Sequence, residues 1–209
     1  VLVTGFEPFG GSDENPSWLA AQALHGREIG GHRAVGASLP TVFGHAIGRL
    51  RELLLGHRPA LVVCTGQAGG RVAVSLERVA INVNDARIPD NAGAQPVDTP
   101  VIEGTPAAYF TTLPIKAMLA AMLDAGIAAE VSQTAGTFVC NHVFYGLMHE
   151  LATRPELAGT RGGFIHVPWL PAQGQPSMPL DKIVAGLQVA IECALVTRRD
   201  IRRQAGTLD

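Results

Sequence analysis

The chain has 209 residues, 47% of them hydrophobic and 16% charged, with a formal net charge of −2. That balance provides no basic field for nucleic acid and no acidic tail, and it is too apolar for a disordered segment. Three cysteines at unpaired spacings argue against a disulfide framework and for a reducing compartment, taken here as the cytoplasm, and no apolar run approaches the ~18 residues of a membrane span.

Apolar runs alternate with helical patterns, the signature of an α/β fold: a single domain over 1–209 in which an open, twisted, mostly parallel sheet is sandwiched between helices. Val1–Thr4 reads as a buried first strand rather than a signal peptide. Asn15 and Pro16 supply an N-cap and a first helical residue, so a helix is predicted to run to about Leu24. A strand follows near Arg33–Leu39 and a helix over Val42–Leu55, with Ile47, Leu50, Leu54 and Leu55 on one side. Leu61–Thr65 is a continuous apolar strand of the kind covered on both faces. From Ser75 to Arg87 the pattern has a period of two, with Glu77 sharing the parity of Val79, Ile81 and Val83, which predicts an extended ribbon rather than a core strand. Residues 88–106 form a long loop rich in Pro, Gly and Asp. A helix over Leu113–Leu123, a strand over Glu130–Thr134, a helix over Asn141–Leu151 and a last strand over Phe164–Val167 come next. A closing helix is predicted from Leu180 to about Arg203, its final arginines (Arg198, Arg199, Arg202, Arg203) suiting its negative end.

Chemistry-bearing residues fall at the ends of these elements. Cys140 stands where a strand gives way to a helix, a place where partial positive charge favours a thiolate. Cys64, inside an apolar strand, and Cys193, on an apolar helix, read as packing residues. His166 ends a short strand and is preferred as a base over His142 and His149, which lie on the helix that follows Cys140. Glu77 places a carboxylate on the apolar side of the ribbon, where an imidazolium would be a suitable partner. A thiol, an imidazole and a carboxylate are the parts of an activated cysteine nucleophile. Phe6 and Phe9 flank Pro8 just after the first strand and could form either a packed turn or a slot for a flat ring. The turns at Gly5–Ser12 and Gly66–Gly70 match no phosphate-binding pattern, and Cys140, His142 and His166 match no standard zinc spacing.

Two longer runs carry more. Glu77-Arg78-Val79-Ala80-Ile81-Asn82-Val83-Asn84-Asp85-Ala86-Arg87-Ile88-Pro89-Asp90-Asn91 resembles the glutamate signature of the pyroglutamyl-peptidase I (pyrrolidone-carboxylate peptidase) family, and Thr134-Ala135-Gly136-Thr137-Phe138-Val139-Cys140-Asn141-His142 resembles its cysteine signature. The opening Val3–Gly11, the turn Gly66–Gly70 and the run Phe164–Pro168 are similar too. The resemblance implies a cytosolic cysteine peptidase that removes an N-terminal pyroglutamyl residue from peptides through a thioester, without a cofactor. It implies an α/β/α fold related to phosphorylases and hydrolases, assembled as a homotetramer. Carried over by position, Cys140 is the nucleophile, His166 the base and Glu77 the orienting acid. Phe6 and Phe9 match the slot for the lactam ring, Gln67, Ile88, Phe138 and Val139 fall at pocket positions, and Arg87 lies near the developing oxyanion. Two other classes share features with this reading: a phosphorylase on a related sheet, and an enzyme-derived module that binds pyroglutamyl peptides without cleaving them.

Overall fold

The structure is a computed structural model that describes residues 1–206. In chain order the elements are β1 (Leu2–Phe6), α1 (Pro16–Leu24), β2 (Glu28–Ile29), β3 (His32–Arg33), β4 (Val35–Leu39), α2 (His45–His57), β5 (Leu61–Gln67), β6 (Val74–Glu77), β7 (Val79–Ile81), β8 (Ala108–Phe110), α3 (Ile115–Asp124), β9 (Ala129–Ser132), α4 (Val139–Thr153), β10 (Arg161–Val167) and α5 (Leu180–Val196). Six strands form the central sheet in the order β4-β1-β5-β10-β6-β9. The first four run parallel; β6 meets β10 antiparallel, and β9 runs parallel to β6.

Side-chain alternation along these strands sorts the core into two layers. Val3, Leu61, Val63, Leu76, Ile165 and Val167 pack under α1, α3 and α5. Leu2, Phe6, Val62, Cys64 and Phe164 pack under α2 and α4. The first helix starts as its sequence predicts: Asn15 Oδ1 accepts the Ser17 N–H at 3.0 Å, with Pro16 at the first helical position. This helix lies against bare backbone, because a Cβ on Gly5 would come within 2.4 Å of the Ser17 carbonyl.

Two expectations need correction. The stretch from Ser75 to Arg87 is not one ribbon. Val74–Glu77 is a fully buried strand of the main sheet, whereas Val79–Ile81 pairs with β8 in a separate two-stranded ribbon. Arg78 divides them, and Ala80, not Val79 or Ile81, is the buried residue of the ribbon. Glu77 therefore owes its burial to the end of a core strand and not to ribbon parity. The closing helix stops at Val196, so the four arginines lie beyond it. The tail turns back instead, and Asp200 accepts the Lys116 and Ala117 N–H groups at 3.0 and 2.9 Å in the first turn of α3. The helix α4 is covered almost all round over 141–148. The excursion through β7 and β8 lies over the face that a two-sided amphipathic helix would leave in water. Near its far end the buried Glu150 is held by Arg51 and by Arg154.

Candidate active site

The cluster is built on the α4 side of the sheet. On β10, Ile165 and Val167 point to one layer, so Phe164 and His166 point to the other. On β6 the same alternation sets Glu77 opposite to Leu76. The antiparallel register pairs Ile165 with Leu76 and His166 with Ser75. Glu77 thus stands diagonal to His166, within reach of a polar contact. His166 Nδ1 and Glu77 Oε1 are 2.7 Å apart, with Glu77 at 0% exposure and His166 at 4%. The Phe164 ring lies against the imidazole, centroid to centroid 4.9 Å.

Cys140 enters from α4. Residues 133–138 carry the chain from β9 back over the sheet, and Cys140 is the second residue of the helix. Its sulfur sits over Gly66: a Cβ there would come within 2.7 Å of Sγ and 2.8 Å of the Phe164 ring. Gly66 is the register partner of His166 across β5 and β10. The close approach of thiol and sheet therefore requires the missing side chain. Phe138, at the cap position, offers no side-chain acceptor to the first turn, which leaves N–H groups at the head of α4 available to an anionic oxygen.

The sequence reading expected a thiolate at this helix start. Burial instead pushes the Cys140 thiol up to about 12; the nearby Glu77 charge adds to the shift and Arg71 opposes it. The shift favours a protonated thiol at rest, which ionises when a base takes its proton. Burial likewise pushes Cys64 up to about 12, in keeping with its reading as an inert core residue.

Apart from His142, weighed in the sequence as a rival base, the polar residues that hold this site together were not singled out there. Arg71 Nη1 donates to Glu77 Oε1 at 2.7 Å and Nη2 to the Thr134 carbonyl at 3.2 Å. Its signal was a lone cation in the turn between two buried strands, a few residues from a carboxylate that needs one. Asn141 is fully buried; it accepts the Ile81 N–H at 3.0 Å and donates to the Ile81 and Val83 carbonyls at 2.9 and 3.0 Å. His142 Nε2 accepts the Gly44 N–H at 2.9 Å, so Nδ1 carries the proton and donates to Asn84 Oδ1 at 2.9 Å. Burial lowers His142 to about 4, and this imidazole is a neutral structural link. Asp90 accepts the N–H groups of Phe43, Ala92 and Ala94. Burial works to raise its pKa, but these bonds together lower it. Asn91 Nδ2 reaches the Pro8 carbonyl at 2.9 Å. The long loop after residue 88 is thereby tied to the turn that follows β1 and to the residues just before α2.

The pocket residues divide into two groups. Phe9 and Phe138 are half-buried and packed together at 5.9 Å, with Phe43 edge-on to Phe138 at 5.5 Å. Phe9, Gln67, Ile88, Trp169 and Gln173 line a cavity of about 640 Å³. Cys140 and His166 are not on its wall, but Gln67 directly follows the glycine under the sulfur. Gln173 Nε2 donates to Gln67 Oε1 at 3.1 Å and so fixes that amide. Phe6 and Val139 lie deeper, in the core, with Phe6 6.4 Å from the Phe164 ring. Arg87 is exposed and makes no hydrogen bond among the described residues.

A family model described as pyroglutamyl peptidase matches residues 1–197. A pyrrolidone-carboxylate peptidase of Cupriavidus taiwanensis is 60% identical over 214 aligned residues, covering 100% of this chain and 98% of that protein. The crystal structure of pyroglutamyl peptidase I from Bacillus amyloliquefaciens matches with a TM-score of 0.94 at 48% identity, over 97% of this chain and 98% of that one. The pyrrolidone carboxyl peptidase of Thermococcus litoralis matches with a TM-score of 0.93 at 35% identity, over 97% and 98% of the two chains.

Proposed function

The chain belongs to the pyroglutamyl peptidase family, a family of cysteine-type peptidases, and on that premise we propose that it hydrolyses the bond following an N-terminal pyroglutamyl residue of a peptide. Cys140 is the nucleophile, His166 the general base and Glu77 the group that orients it. The observation that carries the reading is the 2.7 Å bond between His166 Nδ1 and Glu77 Oε1 on the sheet face that also receives Cys140 Sγ. With Nδ1 committed to the carboxylate, Nε2 is the nitrogen left to exchange protons.

Because the resting thiol is neutral, attack and deprotonation are coupled. Sγ bonds to the pyroglutamyl carbonyl carbon as its proton passes to His166 Nε2. The oxyanion meets N–H groups at the head of α4, where the Cys140 N–H is available, with Arg87 as a second donor. One such donor contributes about 2.7–4 kcal/mol to transition-state stabilisation in acyl transfer. The tetrahedral intermediate collapses, His166 returns the proton to the departing amine, and a thioester remains. Water, deprotonated by His166, then cleaves the thioester and releases pyroglutamate.

The lactam carries no ammonium group, so its pocket needs apolar walls and a few polar contacts. Phe9, Phe138 and Ile88 supply the walls and Gln67 an amide, while Phe6 and Val139 back them from the core. Proline has the same ring without the lactam carbonyl and leaves those polar contacts unmade, which disfavours it. Hydrolysis of a pyroglutamyl-anilide beside a prolyl-anilide tests the assignment. The first is expected to turn over and the second not, and Cys140→Ser should abolish turnover while its circular dichroism matches the parent. Comparable rates on the two anilides, or substantial activity in Cys140→Ser, would refute it. From the family resemblance we further propose that 1–209 acts as one catalytic domain, in the cytoplasm, as a homotetramer without a cofactor. Light scattering of the purified protein checks the assembly. Among the described residues no helix is long and apolar enough to cross a membrane.

A further inference from the structure

We propose that Arg71 is a positioning residue of this site, acting on the reaction through Glu77 and through the segment that delivers Cys140; the inference rests on the peptidase reading given above. Three observations carry it. Glu77 is wholly buried, and its contacts are one-sided: Oε1 accepts from both His166 and Arg71, while Oε2 has no partner among the described residues. An ionised carboxylate so enclosed needs a countercharge, and Arg71, at 25% side-chain exposure, is the fixed cation that touches it. The same guanidinium holds the Thr134 carbonyl at 3.2 Å, and residues 133–138 lead directly to Cys140. One planar group thus joins acid and nucleophile segment in a single geometry, a two-ended contact that an ammonium cannot reproduce.

The consequence is electrostatic as well as geometric. The titratable groups facing Glu77 are His166 from β10 and Cys140 from α4, with Arg71 as the neighbouring permanent charge. Arg78 turns away to Gln133, and Glu130 to Ser75. If the guanidinium is removed, loss of the last proton from the His166–Glu77 pair leaves a buried anion without a countercharge. The pair then keeps that proton to higher pH, and the base is delivered in its working form only there.

Arg71→Met is therefore expected to lower kcat on a pyroglutamyl-anilide by about 30-fold or more with KM within about threefold, and to move the acid limb of kcat/KM up by about one pH unit. Arg71→Lys keeps the charge and loses the tether, so its acid limb stays in place while kcat falls less. Added guanidinium ion should partly restore Arg71→Met. A second readout does not depend on turnover: in Cys140→Ser, the NMR titration of His166 should shift to higher pH when Arg71 is also changed to Met. A kcat/KM profile that superimposes on the parent, a loss confined to KM, or an unmoved His166 titration would overturn the proposal. If Arg71→Met does not fold, Arg71→Gln is subject to the same outcomes. Absence of hydrolysis by the parent protein would instead refute the peptidase reading, and the NMR arm would still decide the role of Arg71.

Discussion

At the scale of single residues, the site depends on what is missing as much as on what is present. The Cys140 sulfur occupies the space that a Cβ on residue 66 would claim. Gly66→Ala would press on Sγ and on the Phe164 ring from below. We expect it to lower kcat on a pyroglutamyl-anilide about 100-fold, the scale of loss for ångström misplacement of a reacting group, while thermal unfolding shows the domain still folded. The three candidate side chains, Cys140, His166 and Glu77, stood out in the sequence because each belongs to a run of distinctive residues. Arg71 did not, since an arginine in a glycine-rich turn reads as solvated until the buried carboxylate beside it is seen. For the sulfur, the sequence shows the helix start that favours charge but not the burial that opposes it.

At the scale of elements, the first turn of α4 joins two structures. Its Cys140 faces the sheet, and the next residue, Asn141, grips the backbone of β7 and of residue 83 outside the sheet. Asn141→Ala strands a part-buried N–H and two part-buried carbonyls, and should cost about 1–3 kcal/mol in urea unfolding, since an unsatisfied buried group costs ~1–3 kcal/mol and water recovers part of that here. Element identities were legible from the Asn15–Pro16 cap in α1, from the unbroken apolar run Leu61–Thr65 in β5 and from the apolar pattern of Asn141–Leu151 in α4. The division of Ser75–Arg87 was not. A four-residue core strand followed by a three-residue outer ribbon keeps an alternating pattern across the break, and only pairing with β10 and β9 distinguishes the halves. The partner of the ribbon, β8, is too short to signal itself.

At the scale of the whole molecule, acid should weaken the fold through His142. Its imidazole is held neutral, lowered to about 4 by burial from an ordinary 6.5. Between these values the unfolded chain takes up a proton that the folded one refuses, so the contribution is complete above pH 6.5, declines as pH falls, and levels off below about 4. It amounts to about 3 kcal/mol. Urea unfolding at pH 7 and pH 4 should show that much less acid destabilisation in His142→Gln than in the parent; equal losses would show that other groups dominate. A protonated sulfur would have a different consequence, for survival under oxidative stress. Peroxides consume thiolates and largely spare thiols. A peptidase that keeps its sulfur protonated between turnovers leaves little for such oxidants to attack, and its exposure to damage rises only while it is at work.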